Sequence, residues 1–261
     1  MQIHTKVDAP ARLQGSVNQD RPMKLPGNQS ARSVPDPIQK FEANILEVKR
    51  LLEIHKSLTG NLPGRKHNVE VLNKSAIVLL VACWEAFVED LATAAFNFLL
   101  ANAADHTSFP NAVLALSSRR LKAAADNREV WRLAGSGWKE VLVSHKGDLF
   151  KDHIGKLNTP KPKQIDSLFA SLLGIPSLSL SWRWHNVPVA KNITRLNQLI
   201  ELRGAIAHRV AASKSVHRKT IRDYLWFIYR LATISSNRTR AFVFTRTKAY
   251  PWPSYTFRNT G

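Results

Sequence analysis

The longest amphipathic stretch of the sequence runs from about Val69 to Leu100 and predicts one long α-helix. Its apolar side chains recur every three or four residues, which places them on one wide face of a helix. These positions are Ile77, Leu80, Val81, Trp84, Phe87, Val88, Leu91, Ala95 and Phe98. Such a helix spans roughly 45 Å at about 1.5 Å per residue. We therefore expect it to be the central element of an α-helical bundle.

Further helices are predicted on both sides of this stretch. Asp36 followed by Pro37 is typical of an N-cap and first helical residue, and a helix is predicted from Pro37 onward. Shorter helices are predicted around residues 111–124, 127–133, 137–145 and 164–175, and two final helices around 191–210 and 216–236. Few strands are indicated, so the predicted fold class is all-α: a bundle of four to five core helices with extra short helices.

The chain divides into three predicted regions. Residues 1–36 are polar, lack an apolar period and predict a flexible basic arm. Residues 37–236 form the predicted helical domain. Residues 237–261 form a C-terminal extension whose pattern fits either a β-like alternation or an extended tail.

Net charge is the strongest compositional feature. The chain carries a formal charge of +19 at pH 7, with a pI of about 10.5. A field of this size favours polyanionic partners such as nucleic acid, an acidic membrane surface or an acidic protein. The plainer alternative is a solvated basic face.

Other sequence signals point to a cytoplasmic protein without a cofactor. The single cysteine, Cys83, lies in an apolar run and predicts a buried, inert thiol. The first residues contain no apolar signal segment, and the longest uninterrupted apolar run, residues 76–84, is short for a membrane span. No metal-ligand motif is present, so we predict neither a metal nor another cofactor.

Candidate catalytic residues occur in the segment LNQLIELRGAIAHR, residues 196–209. Arg203 falls on the apolar stripe of the predicted helix, and His208 follows where that stripe ends. The spacing alone is not specific, because Arg50 and His55 repeat it in the first predicted helix. Context favours the second pair, which lies at a helix end among small residues and is followed by a basic segment.

Helix geometry places a condition on this pair. Residues five apart on a continuous α-helix differ by about 140° in direction and about 7.5 Å in rise. The two residues can therefore share a site in two ways: the helix breaks near Ala207, or one site takes residues from two chains. We favour the second, a two-fold dimer.

The segment RGAIAHR resembles the R-x4-6-H signature of the HEPN superfamily, and the order of the helices is similar to its RiboL-PSP-type branch. Four segments carry the resemblance: FEANILEVKRLLEIH, SAIVLLVACWEAFVEDLATAAF, NTPKPKQIDSLFASLLGI with Trp182 or Trp184 after it, and LNQLIELRGAIAHR. The resemblance implies a HEPN-like bundle that dimerises. Many members are metal-independent endoribonucleases of toxin–antitoxin or phage-defence systems, so an antitoxin or other defence partner is also implied.

The resemblance implies catalytic roles for Arg203 and His208, with RNA as the substrate. The family commonly has a polar residue, often asparagine, after the arginine, whereas this chain has Gly204. That difference keeps an alternative open, namely a non-catalytic module that binds RNA, a nucleotide or a protein partner. A third alternative is an ordinary structural arginine that pairs with Glu85 or Glu89.

The residue types suit RNA cleavage on chemical grounds. Histidine exchanges protons near neutral pH, and the planar arginine fork holds a phosphate with two hydrogen bonds. Glu85 or Glu89 is expected to orient Arg203. Contacts to RNA are expected from Arg209, Lys214, Arg218 and Arg183. Trp182 and Trp184 either stack on unpaired bases or belong to the core.

Overall fold

One helix, surrounded by the others, organises the structure. The structure is a computed structural model, and it describes residues 3–6, 34–59, 69–155, 157, 159–208 and 215–257. The α-helices in these ranges are α1 (Pro37–Thr59), α2 (Glu70–Asn102), α3 (Asn111–Lys122), α4 (Gly137–His153), α5 (Pro162–Leu173), α6 (Val189–His208) and α7 (Arg218–Thr247). Short 3-10 helices occupy His106–Ser108, Asn127–Leu133 and Leu178–Ser181. Two strands, β1 (Ile3–Lys6) and β2 (Ser254–Phe257), pair antiparallel. The predicted all-α bundle is confirmed, with this small strand pair added.

The surrounded helix is α2, and its predicted range agrees with the observed one to within two residues at each end. Phe87 of α2 meets Phe41 of α1 edge to face, with ring centroids 5.2 Å apart. Phe41 makes the same kind of contact with Tyr229 of α7, at 5.1 Å. All three rings are buried. Aromatic pairs of this geometry add about 0.5–1.5 kcal/mol beyond the area that they bury, so the cluster helps to fix how three helices meet.

By length and composition alone, α2 is also long and apolar enough to cross a membrane, although its uninterrupted apolar run is short. Half of its most apolar stretch is buried inside the bundle. Core helices of soluble bundles meet the same criterion, so this property is weak evidence for a membrane span.

Local sequence signals account for several helix ends. The Asp36 carboxylate accepts a hydrogen bond from the backbone N–H of Ile38 at 2.9 Å, as predicted for the N-cap of α1. Pro162 opens α5, where its missing N–H costs no helical hydrogen bond. The same helix ends at Gly174, whose φ of 82° is left-handed and free of steric cost only for glycine.

The last helix continues beyond its predicted end near residue 236. Residues 237–247 are helical, so neither the β-like alternation nor the extended tail predicted for this stretch is correct. The alternation in AFVFTRT suggests a strand, but the buried side chains keep a helical spacing that packs α7 onto the bundle. Those buried side chains are Ser235, Ser236, Thr239, Arg240 and Val243. Similarly, α4 ends at His153 rather than near residue 145.

The strand pair joins the two ends of the described chain. Ile3 lies opposite Phe257 and Lys6 opposite Ser254, so part of the predicted flexible arm is a strand. Residues 7–33 of that arm lie outside the described residues. The Tyr255 hydroxyl donates a hydrogen bond to the Asp36 carboxylate, which ties β2 to the start of α1.

Trp182 belongs to the core and does not offer its ring to an unpaired base. Its side chain is 0% exposed, and its indole N–H donates to the Ser235 hydroxyl at 2.8 Å. Its carbonyl accepts a hydrogen bond from the side-chain amide of Asn192 at 2.9 Å, which anchors the start of α6.

Cys83 is also buried, as predicted, and burial raises the pKa of its thiol to about 11. A thiol that stays protonated is a poor nucleophile.

We predict that Trp182→Ala lowers the free energy of unfolding by about 3–5 kcal/mol, because it leaves a large cavity and an unpartnered Ser235 hydroxyl. Urea denaturation followed by circular dichroism measures the change. Trp131→Ala is the matched control, since the Trp131 residue is 79% exposed and its loss should change stability by less than about 0.5 kcal/mol. Equal effects of the two substitutions would contradict the described core.

Candidate functional site

Arg203 and His208 line the same cleft, which has a volume of about 250 Å³. The cleft lies between the C-terminal half of α6, the middle of α2 and the segment that leads into α5. Arg203 is half-buried and His208 is exposed at the last residue of α6. The polar side chains around them include those of Glu85, Lys161 and Glu201.

On a continuous helix Arg203 and His208 should diverge, yet the structure brings them to one cleft without a helix break and without a second chain. The helix α6 is unbroken through Ala207, so the less favoured alternative, a helix break near Ala207, is wrong. A second chain is not needed to unite the pair, because both residues line one cleft of a single chain. Because His208 ends the helix, its side chain reaches the cleft from the helix terminus, whereas Arg203 reaches it from the side of the helix.

One wall of the cleft is fastened to the core of the bundle. The indole N–H of Trp84 in α2 donates to the carbonyl of Pro160 at 3.2 Å, and both residues are buried. This hydrogen bond holds residues 159–161 against α2 immediately beside Glu85. Lys161 follows at the N-terminus of α5, and its backbone N–H donates to the Thr159 carbonyl at 2.8 Å.

Lys161 and Glu201 are charged cleft residues that the sequence did not single out, and Lys161 is the cation of the two. It is half-buried and adds a second fixed positive charge to the site. The segment NTPKPKQ contained a usable signal, because the two prolines fix the backbone on both sides of this lysine. Without the fold, nothing indicated that this loop faces α6.

Of the two glutamates expected near Arg203, Glu85 is the one that lines the cleft. Burial raises the pKa of Glu85, and the nearby positive charge of Arg203 partly offsets that rise. Burial also raises the pKa of Glu89, and the negative charges of Glu85 and Asp90 raise it further. Glu89 is not among the residues that line the cleft. Of the two glutamates, Glu85 is therefore the one that shares the cleft with Arg203.

The structure describes two of the four residues predicted to contact RNA, Arg183 and Arg218. Arg209 and Lys214 lie outside the described residues. Arg218 is half-buried and is the first residue of α7. Arg183 is exposed in the loop before α6, and His208 is the last residue of that helix. The full length of α6, roughly 28 Å, therefore separates the two residues. The structure therefore does not bring Arg183 into the cleft.

Gly204 leaves open space beside Arg203. A methyl group built on its Cα would meet no atom of the described residues within 4 Å outside its own helix backbone, so packing among those residues does not require glycine here. The space adjoins the cleft, which leaves room for a ligand.

Within the described ranges, no group of three or more histidine, cysteine, aspartate or glutamate side chains is arranged to hold a metal ion. The chemistry that the described cleft offers is an exposed imidazole, two cations and two carboxylates. Such a set can bind a phosphate and exchange a proton beside it.

A helical bundle with an arginine and a histidine from one helix in an open cleft is the arrangement of a HEPN domain. The family model RiboL-PSP-HEPN matches residues 43–237, about three-quarters of the chain, and the protein belongs to this family. Searches of curated proteins and of solved structures found no match. HEPN domains are often ribonucleases, and membership makes this chain a nuclease-like or RNA-related module.

We predict that Glu85→Gln raises the free energy of unfolding relative to wild type as the pH increases from about 4 to about 7. Below the pKa of the unfolded chain both states hold the proton, and the carboxyl has no effect. Between that value and the higher pKa of the folded chain, the unfolded chain releases the proton while folded Glu85 still holds it, so stability falls as the pH rises, and glutamine removes that cost. The free energy of unfolding, measured across this range, tests the difference between variant and wild type.

Glu53→Gln is the control, because Glu53 is exposed on α1. Adding Arg203→Ala should enlarge the benefit of Glu85→Gln, since the arginine offsets part of the burial effect. A Glu85→Gln variant that becomes less stable relative to wild type as the pH rises would show instead that Glu85 is a net stabilising partner of Arg203.

Proposed function

We propose that this protein is a metal-independent endoribonuclease whose active site is the cleft between α2, α5 and α6. One observation carries the proposal: Arg203 and His208 meet in one open cleft together with Lys161 and Glu85. In a protein of the RiboL-PSP-HEPN family, this arrangement is more than the packing of a bundle requires. An arginine with a merely structural role would not need a second cation and an exposed histidine beside it.

The proposed reaction uses the RNA's own nucleophile. The 2′-hydroxyl oxygen attacks the adjacent phosphorus, a P–O bond forms, and the bond to the 5′-oxygen breaks. His208 either removes the proton of the 2′-hydroxyl or protonates the leaving 5′-oxygen, and water in the exposed cleft serves the other step. The products are a 2′,3′-cyclic phosphate and a 5′-hydroxyl.

The cations of the cleft are suited to the transition state. Charge builds up on the non-bridging oxygens as the phosphorus becomes pentacoordinate. Arg203 holds these oxygens with its planar fork, and Lys161 adds a second donor from the opposite wall. Glu85 acts as a positioning residue, since it lines the same cleft and lies close enough to the charge of Arg203 for that charge to lower its pKa.

A second candidate function is a non-catalytic RNA-binding module. Gly204 favours it, because a glycine stands where the family commonly has a polar side chain. The net charge of +19 supports RNA binding under both proposals and does not separate them.

The biological setting follows from the family resemblance and is part of the proposal. We place the enzyme in the cytoplasm as a toxin or phage-defence effector, which a dedicated protein partner would hold inactive. We also propose a homodimer, although the geometry of one chain no longer demands it.

We predict that the purified protein cleaves unstructured RNA in the presence of EDTA and that His208→Ala lowers the rate by about 10²–10⁴-fold. Arg203→Ala should cause a loss of similar size, and Arg203→Lys should not restore full activity because lysine lacks the bidentate fork. Gel electrophoresis of end-labelled RNA gives the rates, and the cyclic phosphate is identified by mass spectrometry.

His106→Ala and Arg50→Ala are the matched controls, because both residues are exposed and lie outside the cleft. They should retain wild-type activity. RNA binding without cleavage by the wild-type protein would assign the chain to the second candidate function. Cleavage that survives His208→Ala would place the active site elsewhere or reveal a contaminating nuclease.

Mixing two inactive variants separates a site within one chain from a site shared between chains. We predict that Arg203→Ala mixed with His208→Ala, after unfolding and refolding together, remains inactive, because each chain carries a complete pair in its own cleft. If one site took Arg203 from one chain and His208 from the other, mixed dimers would recover about a quarter of wild-type activity. Light scattering on the same samples reports the oligomeric state.

A further inference from the structure

A second groove lies on the other side of α6, between the first halves of α6 and α7. We call it the basic–aromatic groove and define it by Trp184, Lys191, Arg195, Arg222, Trp226 and Arg230. It consists of two adjoining clefts of about 680 Å³ and 570 Å³ that share Arg195 and Asp223. No residue that lines the groove also lines the Arg203–His208 cleft within the described chain.

Positive charge dominates the groove. Four of its defining side chains are cationic, and Asp223 is the one acidic side chain among the described residues that line it. Arg195 donates one N–H to the backbone carbonyl of Asp223 at 2.9 Å, which fixes its guanidinium without neutralising it. Burial lowers the pKa of Arg230, so that folding has removed part of the water that stabilised this charge. An anion bound at the groove would replace that lost solvation.

Aromatic rings hold the two central arginines in place. The Arg230 guanidinium lies 4.6 Å from the ring centroid of Phe257 and 5.0 Å from that of Trp184. The Arg195 guanidinium lies 4.7 Å from the ring centroid of Phe227. A guanidinium that lies over an aromatic ring can still donate from its N–H edge, and these donors bind phosphate. One N–H of Arg195 is already used by the Asp223 carbonyl.

The same groove presents a surface for bases. Trp226 is half-buried, and its ring meets that of Phe257 edge to face with centroids 5.6 Å apart. This contact with Phe257 fixes the orientation of the indole ring at the groove. Tryptophan and arginine planes stack on unpaired bases of any identity, whereas the bases of a duplex are already stacked on one another. Fixed arginines beside an accessible indole therefore match a single strand better than a duplex.

We propose that the basic–aromatic groove binds single-stranded RNA, with Arg195 and Arg230 on the phosphates and Trp226 against a base. This inference deepens the proposed function, because it names the class of RNA that is delivered to the Arg203–His208 cleft. Arg195 and Arg203 are about 12 Å apart along α6, so one short strand can pass from the groove to the cleft around this helix.

Binding is tested with the wild-type chain and a fluorescein-labelled 2′-O-methyl oligouridine, which the 2′-hydroxyl reaction cannot cut. Fluorescence anisotropy in EDTA gives Kd at several salt concentrations. We expect the double substitution Arg195→Ala and Arg230→Ala to raise Kd at least about tenfold. Two lost phosphate contacts should also reduce the salt slope by about 1.4. Trp226→Ala should weaken binding about tenfold without changing the salt slope.

The matched control carries Arg50→Ala and Arg119→Ala, which remove the same charge from exposed positions outside the groove. Its Kd should change less than threefold. Arg230→Lys keeps the charge but loses the stacked plane and should fall between wild type and the double variant. Circular dichroism melts show whether each variant is folded, and the Trp226→Ala result stands independently if an arginine variant is not.

Three outcomes would overturn the inference. The control pair could weaken binding as much as the groove pair, which would mean that only the overall field matters. A duplex of the same sequence could bind as tightly as the single strand. Polyglutamate could displace the oligouridine as well as unlabelled oligouridine does, which would assign the groove to an acidic protein.

The two proposals fail separately. If the wild-type protein does not cut RNA but groove variants lose binding, the nuclease proposal fails and the groove stands. If cleavage depends on His208 while groove variants bind like wild type, the groove inference alone is wrong.

Discussion

The burial of α2 is the constraint on which the rest of the structure depends. From Ala76 onward its side chains are apolar on most of the helix circumference, and such a helix is stable in water only when other helices cover it. The helices α1, α6 and α7 supply that cover, and the contacts of Phe41, Phe87 and Tyr229 set how they meet. Because α6 must lie against α2, Arg203 is brought beside Glu85, and the candidate active site follows from the core.

The two sides of α6 present different chemical groups. One side faces α2 and Lys161, where a small cleft combines acids, cations and an imidazole. The other faces α7, where arginines and aromatic rings alternate along an open groove. The first arrangement suits chemistry at a single phosphate, and the second suits an extended polyanion. Both use a helix with one acid, Glu201, and three cations, so the helix itself carries part of the chain's excess charge.

Much of the fold could be predicted from the sequence because helical periodicity is strong in this chain. The limits of α2, the N-cap at Asp36 and the proline start of α5 all follow from local signals. The extent of α7 could not, because its last turns are stabilised by packing of Thr239, Arg240 and Val243 and by the Arg240 hydrogen bond to the Trp252 carbonyl. These tertiary contacts override a locally strand-like pattern.

The candidate site was predictable only in part, for a related reason. The spacing of Arg203 and His208 lies within one segment, and a carboxylate beside Arg203 could be expected on α2. Lys161 and the groove residues Arg195, Trp226 and Arg230 come from segments that meet only in three dimensions. Helix geometry also did not predict one cleft within a single chain, because His208 lies at the end of the helix rather than inside it.

The hydrogen bond between Trp84 and Pro160 joins the core of the bundle to the wall of the cleft. Trp84 is buried while its neighbour Glu85 lines the cleft, so one turn of α2 belongs both to the core and to the cleft wall. A local fluctuation that moves residues 159–161 away from α2 must therefore break an interior hydrogen bond, and the middle of α2 should be among the last regions to exchange its amide hydrogens with solvent. Heating would then disrupt this wall of the cleft and the folded core in a single cooperative step.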